Sequence, residues 1–241
     1  MSNNQKRLRI FAGPNGSGKS TLTNIIKDMV NFGVYVNADD ILNAIQTAKR
    51  IDFADYGIWT TKEAFIHALT ITTYDIDNKW ENWSFGANAI LFTDVDKLGP
   101  YFAAFLADFI RNILLERSQK FSFETVMSDI KKLEFIEKAK EKGFKVYLYF
   151  ISLQDPELNV YRVRTRVAQG GHNVNEKKIV ERYARTMDFL YEAIKLADSA
   201  YIFDNSGSEI KLIAQKEKGT LTAMVDYAPA WYKRYVLDKI V

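Results

Sequence analysis

Apolar positions along this chain fall into two alternating rhythms. Short, nearly continuous apolar runs at Leu8–Ala12, Val34–Val36, Phe121–Phe123, Lys145–Ser152 and Ala200–Phe203 predict buried strands. Between them apolar residues recur at helical spacing. Leu22, Ile25, Ile26, Met29 and Val30 do so after the first run, Phe102–Arg117 before the third, and Ile179, Tyr183, Met187, Leu190 and Ile194 before the fifth. Strands alternating with helices predict an α/β fold, a three-layer sandwich whose mostly parallel five-stranded sheet is covered on both faces. Ile210–Gln215 and Thr220–Val225 flank Lys216-Glu217-Lys218-Gly219 and predict a C-terminal hairpin, and Pro229 opens a short closing helix through Tyr235.

Residues Arg50–Leu98 break this rhythm. They hold Trp59, Trp80 and Trp83 with several tyrosines and phenylalanines, and such rings need burial. The stretch reads as a cap or substrate-side subdomain inserted into a single domain of residues 1–241; a helical hairpin extending the core is the alternative.

Composition narrows the class without naming a function. The 47% hydrophobic content supports a substantial core in a chain of 241 residues. Cysteine is absent, which excludes disulfides and thiolate metal sites and suits a reducing cytoplasm. Met1–Arg7 has no apolar core of the secretory kind, and no run approaches ~20 apolar residues, so a cytoplasmic location without membrane contact is expected. The net charge of +3 is too mild to indicate a nucleic-acid partner.

Chemistry enters with Gly13-Pro14-Asn15-Gly16-Ser17-Gly18-Lys19-Ser20, a full G-x-x-x-x-G-K-[ST] pattern between a strand and a helix. Its glycines let backbone N–H groups converge on phosphate oxygens at a helix N-terminus, with Thr21 following in the first turn. Lys19 reaches the outer phosphates and the Ser20 hydroxyl ligates magnesium, so a nucleoside triphosphate with Mg2+ is expected.

Each strand run ends in polar residues, and ligands of open α/β sheets bind beyond the carboxyl ends of strands. Asp39 lies where a carboxylate can accept the proton of an attacking hydroxyl. Its neighbour Asp40 is the better helix N-cap and a second substrate-side carboxylate. Glu124, directly after the third strand, is a substrate-orienting carboxylate, with Thr125 and Ser128 offering hydroxyl contacts.

Asp155-Pro156 starts a helix carrying Arg162 and Arg166 on one face and Arg164 on another, and Gly170-Gly171 stops it. The next helix sets Lys178, Arg182 and Arg185 beside its apolar stripe. Two arginine-bearing helices joined through glycines suit a lid over triphosphate, whose guanidinium groups neutralise charge on the transferred phosphoryl group. Pairing with Glu176, Glu181 and Asp188 is the alternative use of the same arginines. His172 is assigned no catalytic role.

Laid out this way, the chain resembles the zeta-toxin family of P-loop kinases. The resemblance rests on Ala12–Thr21, Asn37-Ala38-Asp39, Phe121–Thr125, Arg162–Val174 with Ile179 and Arg182-Tyr183, and Asp204-Asn205-Ser206, in that order. It implies ATP- and magnesium-dependent phosphorylation of a hydroxyl on a nucleotide-like small molecule. Characterised toxins of this kind act on the 3′-hydroxyl of the amino sugar of UDP-N-acetylglucosamine, which makes that the leading acceptor. Carried over by position, Asp39 is the base, Glu124 a substrate ligand, and Arg166 and Arg182 the phosphate clamps, with Arg185 a weaker candidate. An antitoxin protein is the partner the family suggests. The Arg50–Leu98 stretch is longer than the family pattern, and Asn175 stands where a proline is usual. The residues alone also leave open an ATP-binding switch without an acceptor, and a kinase of nucleic-acid ends.

Overall fold

The structure is a computed structural model and describes residues 5–76, 80–171 and 174–240. In chain order, β1 (Arg7–Ala12), α1 (Lys19–Ile26), β2 (Val34–Val36) and α2 (Ala38–Ala48) come first. Then follow β3 (Arg50–Asp52), α3 (Lys62–Ile71), β4 (Trp83–Gly86), β5 (Ala89–Phe92), α4 (Pro100–Glu116) and β6 (Phe121–Thr125). The rest comprises α5 (Lys131–Glu141), β7 (Lys145–Ser152), α6 (Pro156–Ala168), α7 (Glu176–Leu196), β8 (Ser199–Asp204), β9 (Lys211–Glu217), β10 (Thr220–Ala223) and α8 (Ala230–Tyr235). All five strands expected from the apolar runs form, and the closing hairpin and helix lie where the turn signals set them.

The chain divides into two compact units, Met1–Phe32 with Glu124–Val241, and Gly33–Phe123. In the first, strands run in the order β10-β9-β8-β7-β1. The pairs β1/β7 and β7/β8 are parallel, whereas β9 and β10 return antiparallel and extend the β8 edge. The register sets Ala12 beside Phe150 and Ser152 beside Asp204, so β7 and β8 end level, β1 ends two residues earlier, and the loops after all three gather at one end.

Side chains alternate across this sheet. On one face Phe11 stacks on Tyr149 at 4.9 Å between ring centres, and Tyr149 on Tyr201 at 5.1 Å, with Phe32 tilted onto Phe11. Leu22 and Ile26 of α1 complete that layer. The opposite face buries Leu8, Ile10, Leu148, Phe150 and Ile202, and Trp231 of α8 packs on Phe150. Each such side chain contributes about 1.5–3 kcal/mol of burial. The helix after the glycine loop is shorter than its apolar spacing suggests. It stops at Ile26, and Ile25 and Met29 are 55% and 76% exposed. The ladder tightens there, with Met29 N–H bonding back to Ile26 O, and the apolar contact passes to Phe32.

The second unit pairs β2 with Phe121–Phe123 of β6 in parallel and holds a separate antiparallel sheet, β3-β5-β4. Its core is aromatic. Phe65 contacts Phe53, Trp83, Phe85, Phe105 and Phe109 at centroid distances of 5.0–6.5 Å. Trp59 by contrast is 68% exposed. A two-residue turn, Ala87-Asn88, joins β4 to β5 with both φ angles positive, and the buried Asn88 amide bonds Ile58 O and Thr60 N–H. Arg111 of α4 is buried against Asp108 and lies 4.4 Å over the Phe123 ring, and desolvation lowers its pKa to about 10.

Burial raises the phenol pKa of Tyr201 and Tyr232 to about 12, and burial together with the charges of Asp40 and Asp55 raises Tyr56 to about 12; burial also raises Tyr149 and Tyr183. Between pH 10 and 12 the unfolded chain releases protons the folded chain keeps, so stability falls as pH rises through that window. Arg111 and Lys216, whose pKa values desolvation lowers, act in the opposite sense, but they are two groups against five. Urea midpoints are expected to be flat from pH 7 to 9 and to drop steadily above pH 10.

Candidate functional site

The loop after β1 is shaped by its glycines and by what surrounds them. Gly13, Gly16 and Gly18 have φ of +150°, +75° and +98°, values that disfavour a side chain. Each also lies where a Cβ would collide with a different element. A Cβ on Gly13 would sit 2.0 Å from Ile151 O of β7, one on Gly16 2.8 Å from Asn159 O of α6, and one on Gly18 2.4 Å from Asn205 Nδ2 after β8. The base of the loop is pinned where Gly13 N–H donates to Thr125 O at 3.2 Å, and Ser17 N–H closes a turn onto Pro14 O at 3.3 Å.

Lys19 opens α1, and its Nζ donates to Gly13 O at 2.8 Å and Pro14 O at 2.9 Å, which holds the ammonium across the loop. Beside it Ser20 Oγ donates to Glu124 Oε2 at 3.2 Å. The buried Thr23 hydroxyl, on the same face of α1, lies 2.9 Å from both Glu124 Oε1 and Lys19 O. Glu124 thus reaches the first turn of the loop helix from the end of β6. Thr125 serves local structure as well, since its Oγ1 accepts from Met127 N–H at 3.1 Å. Thr21 is exposed on the first turn of α1.

The helices with the arginines form as expected. Asp155 caps α6 by accepting from Leu158 N–H, with Pro156 at its first position. Asn175 caps α7, whose buried stripe is Ile179, Tyr183, Thr186, Met187, Leu190, Ala193 and Ile194. Tyr183 OH lies within hydrogen-bond reach of Leu153 O and Gln154 O at the end of β7, which ties α7 to the loop end of the sheet. The arginines divide. Arg162 Nη2 donates to Asn205 O at 2.7 Å. Arg164 forms a forked pair with Glu176, one bond of 2.8 Å, which holds the Glu176 carboxyl below its usual range. Both partners are exposed, so the pair adds little stability. Arg166 is half-buried with its Cγ packed under Gly171, Arg182 is half-buried and Arg185 exposed. His172 and Asn173, within the lid resemblance, lie outside the described residues.

Asp39 and Asp40 belong to the second unit. The helix there starts earlier than expected. Asn37, not Asp40, is the N-cap, and its Oδ1 accepts from Asp39 N–H at 2.8 Å. Both aspartates sit exposed in the first turn, where a carboxylate is favoured by the helix dipole.

Sequence reasoning missed Thr23 and Asn159. Thr23 carries the weak signal of a hydroxyl one helical turn beyond Lys19. Asn159 is fully buried on α6, four residues before the buried Val163, and a polar side chain at an apolar position was the clue.

The residues fit a bound triphosphate with magnesium. Ser20 and Glu124 present hard oxygen donors side by side. Inside the loop Ser17 Oγ and Asn15 Oδ1 are buried polar atoms without a hydrogen-bond partner among the described residues.

Comparison with known proteins places this geometry in a fold. No family model matches the chain. An uncharacterized protein of Haemophilus influenzae is 35% identical over 63 residues, 26% of this chain and 45% of that protein. Among solved structures, a chain of the AvrRxo1-ORF1:AvrRxo1-ORF2 complex with sulphate ions matches at a TM-score of 0.58 and 14% identity, over 96% of this chain and 63% of that one. The same complex solved with ATP matches at 0.54 and 14% identity, over 91% and 61%. A chain from the PezAT chromosomal toxin–antitoxin system of Streptococcus pneumoniae matches at 0.52 and 14% identity, over 100% of this chain and 82% of that one. This chain therefore spans less than two thirds of the AvrRxo1 chains and under half of the Haemophilus protein. The chain thus shares its fold with these AvrRxo1 and PezAT chains, mixed α/β with a mostly parallel sheet. Among the described residues no helix is long and apolar enough to cross a membrane.

Proposed function

We propose that this protein is an ATP- and magnesium-dependent kinase of the zeta-toxin type, transferring a phosphoryl group to a hydroxyl of a nucleotide-sugar or similar small molecule, with UDP-N-acetylglucosamine the first acceptor to test. The observation that carries the reading is the meeting of Lys19, Ser20, Thr23 and Glu124 at the mouth of the glycine loop. A phosphate cradle with an ammonium on one side and a hydroxyl–carboxylate pair on the other is the equipment of nucleotide chemistry.

In this reading Gly13–Thr21 and Lys19 hold the polyphosphate, with Ser20 on the metal side. Bound magnesium supplies neutralisation of charge across the outer phosphates. Asp39 accepts the proton of the acceptor hydroxyl as that oxygen forms its bond to the γ-phosphorus. The bond to the β-phosphate oxygen breaks and ADP leaves. Arg166 and Arg182 balance charge on the moving phosphoryl group, and Arg185 contributes from the rim. Glu124, Thr125 and Asp40 are the acceptor-side residues. The likeness to a chain of the PezAT toxin–antitoxin system supports an antitoxin protein as a partner, and the residues 50–98 are proposed as a cap on the acceptor side.

The test is mass spectrometry of a metabolite extract incubated with protein, ATP and magnesium. A species heavier by one phosphoryl group, made from a nucleotide sugar, is the expected result. If no acceptor is modified and none raises ATP consumption above hydrolysis, the reading gives way to an ATP-binding switch.

A further inference from the structure

A phosphate loop works only if its N–H groups face inward, and the structure contains a device for that outside the loop. The peptide unit is planar and trans, so its C=O and N–H point in opposite directions. Holding a loop carbonyl on the outer side therefore aims the next residue's N–H at the concave side. Two such carbonyls are held. Asn159 Nδ2 of α6 donates to Asn15 O at 2.5 Å, and Asn205 Nδ2 donates to Ser17 O at 2.9 Å. The N–H groups sharing those peptide units belong to Gly16 and Gly18, and neither donates to another backbone group among the described residues.

The two tethers are themselves fixed. Asn159 is fully buried, and its own backbone closes on Gly16, leaving 2.8 Å between Asn159 O and the place of a Gly16 Cβ. Asn205 is held from behind, its carbonyl taking the Arg162 Nη2 bond of 2.7 Å and its N–H bonding Ser152 O at 2.9 Å. Only an amide nitrogen suits either place, because a carbonyl needs a donor and the tight glycine contacts leave no room for a longer side chain.

We infer that Asn159 and Asn205, with Arg162 behind Asn205, are positioning residues that pre-set the inward direction of the Gly16 and Gly18 N–H groups for a bound phosphate. This rests on the nucleotide-binding reading above. It gives Arg162 a role apart from the phosphate clamps: its guanidinium is engaged with the protein backbone, and the preorganised loop binds anions without ordering cost.

The experiment compares the native protein with Asn159→Leu and Asn205→Leu, close in shape but lacking the donor. ADP in magnesium buffer is titrated calorimetrically, and melting temperature is recorded without nucleotide. Each variant is expected to bind ADP about 10-fold more weakly, the worth of one lost hydrogen bond. A role in stability alone would lower the melting temperature and leave ADP affinity within about twofold in both variants, and that result would overturn the inference. Where a leucine variant does not fold, Asn159→Ala or Asn205→Ala, which also lacks the donor, carries the test with the same two outcomes. Failure of the native protein to bind ADP would sink the nucleotide reading instead, a distinguishable result.

Discussion

Gly13→Ala is expected to leave little or no folded protein. At φ of +150° an L side chain is strained, and the added Cβ would stand 2.0 Å from Ile151 O. That carbonyl belongs to β7, the strand paired along the whole of β1, so neither side can yield without breaking the sheet register. Backbone strain of this kind costs about 1–3 kcal/mol, and relieving the overlap adds a similar amount. Against a total stability of about 5–15 kcal/mol that is a large fraction. Thermal unfolding is expected at least about 10 °C lower, or the chain is recovered insoluble. Gly207→Ala is the control, since no atom lies within 4 Å of its Cβ and it needs no positive φ; it should melt with the native protein. A Gly13→Ala chain of native stability would mean the loop does not pack as described.

Asp39→Ala is expected to separate chemistry from binding. The residue lies exposed at the start of α2, so its removal leaves the core intact. Loss of a general base costs about 10²–10⁴-fold in turnover, while ADP affinity should stay within about twofold. Lys19→Ala should do the reverse in part, weakening nucleotide binding itself, because its ammonium spans the loop at Gly13 and Pro14. The pair is read by acceptor-dependent ATP consumption alongside ADP calorimetry. Full turnover in Asp39→Ala would remove the aspartate from the mechanism, leaving the loop assignment intact.

Some features were legible in the residues and some were not, for identifiable reasons. The five strands were readable because buried parallel strands are near-continuous apolar runs. The start of α6 was readable because Asp155-Pro156 carries both a cap and a favoured first residue. Asp40 was misread as a cap because three polar residues stand within four positions, and only backbone geometry shows that Asn37 holds the extended conformation. The β4–β5 hairpin was missed because its turn is Ala87-Asn88, with alanine at a positive φ where glycine is the usual sign. The length of α1 was overestimated because apolar spacing continues through Met29, although that side chain faces solvent.

By itself the sequence determined the strand–loop–helix unit, because such a loop depends on backbone conformations set within eight consecutive residues. Which side chains meet that unit was decided only by the tertiary structure. Glu124 lies 104 residues from Ser20, Asn159 144 from Asn15, and Asn205 188 from Ser17. Asn159 and Asn205 reach the loop because the parallel register of β1, β7 and β8 brings the segments after them to one end, and a register of that range is settled by packing, which no local run of residues encodes.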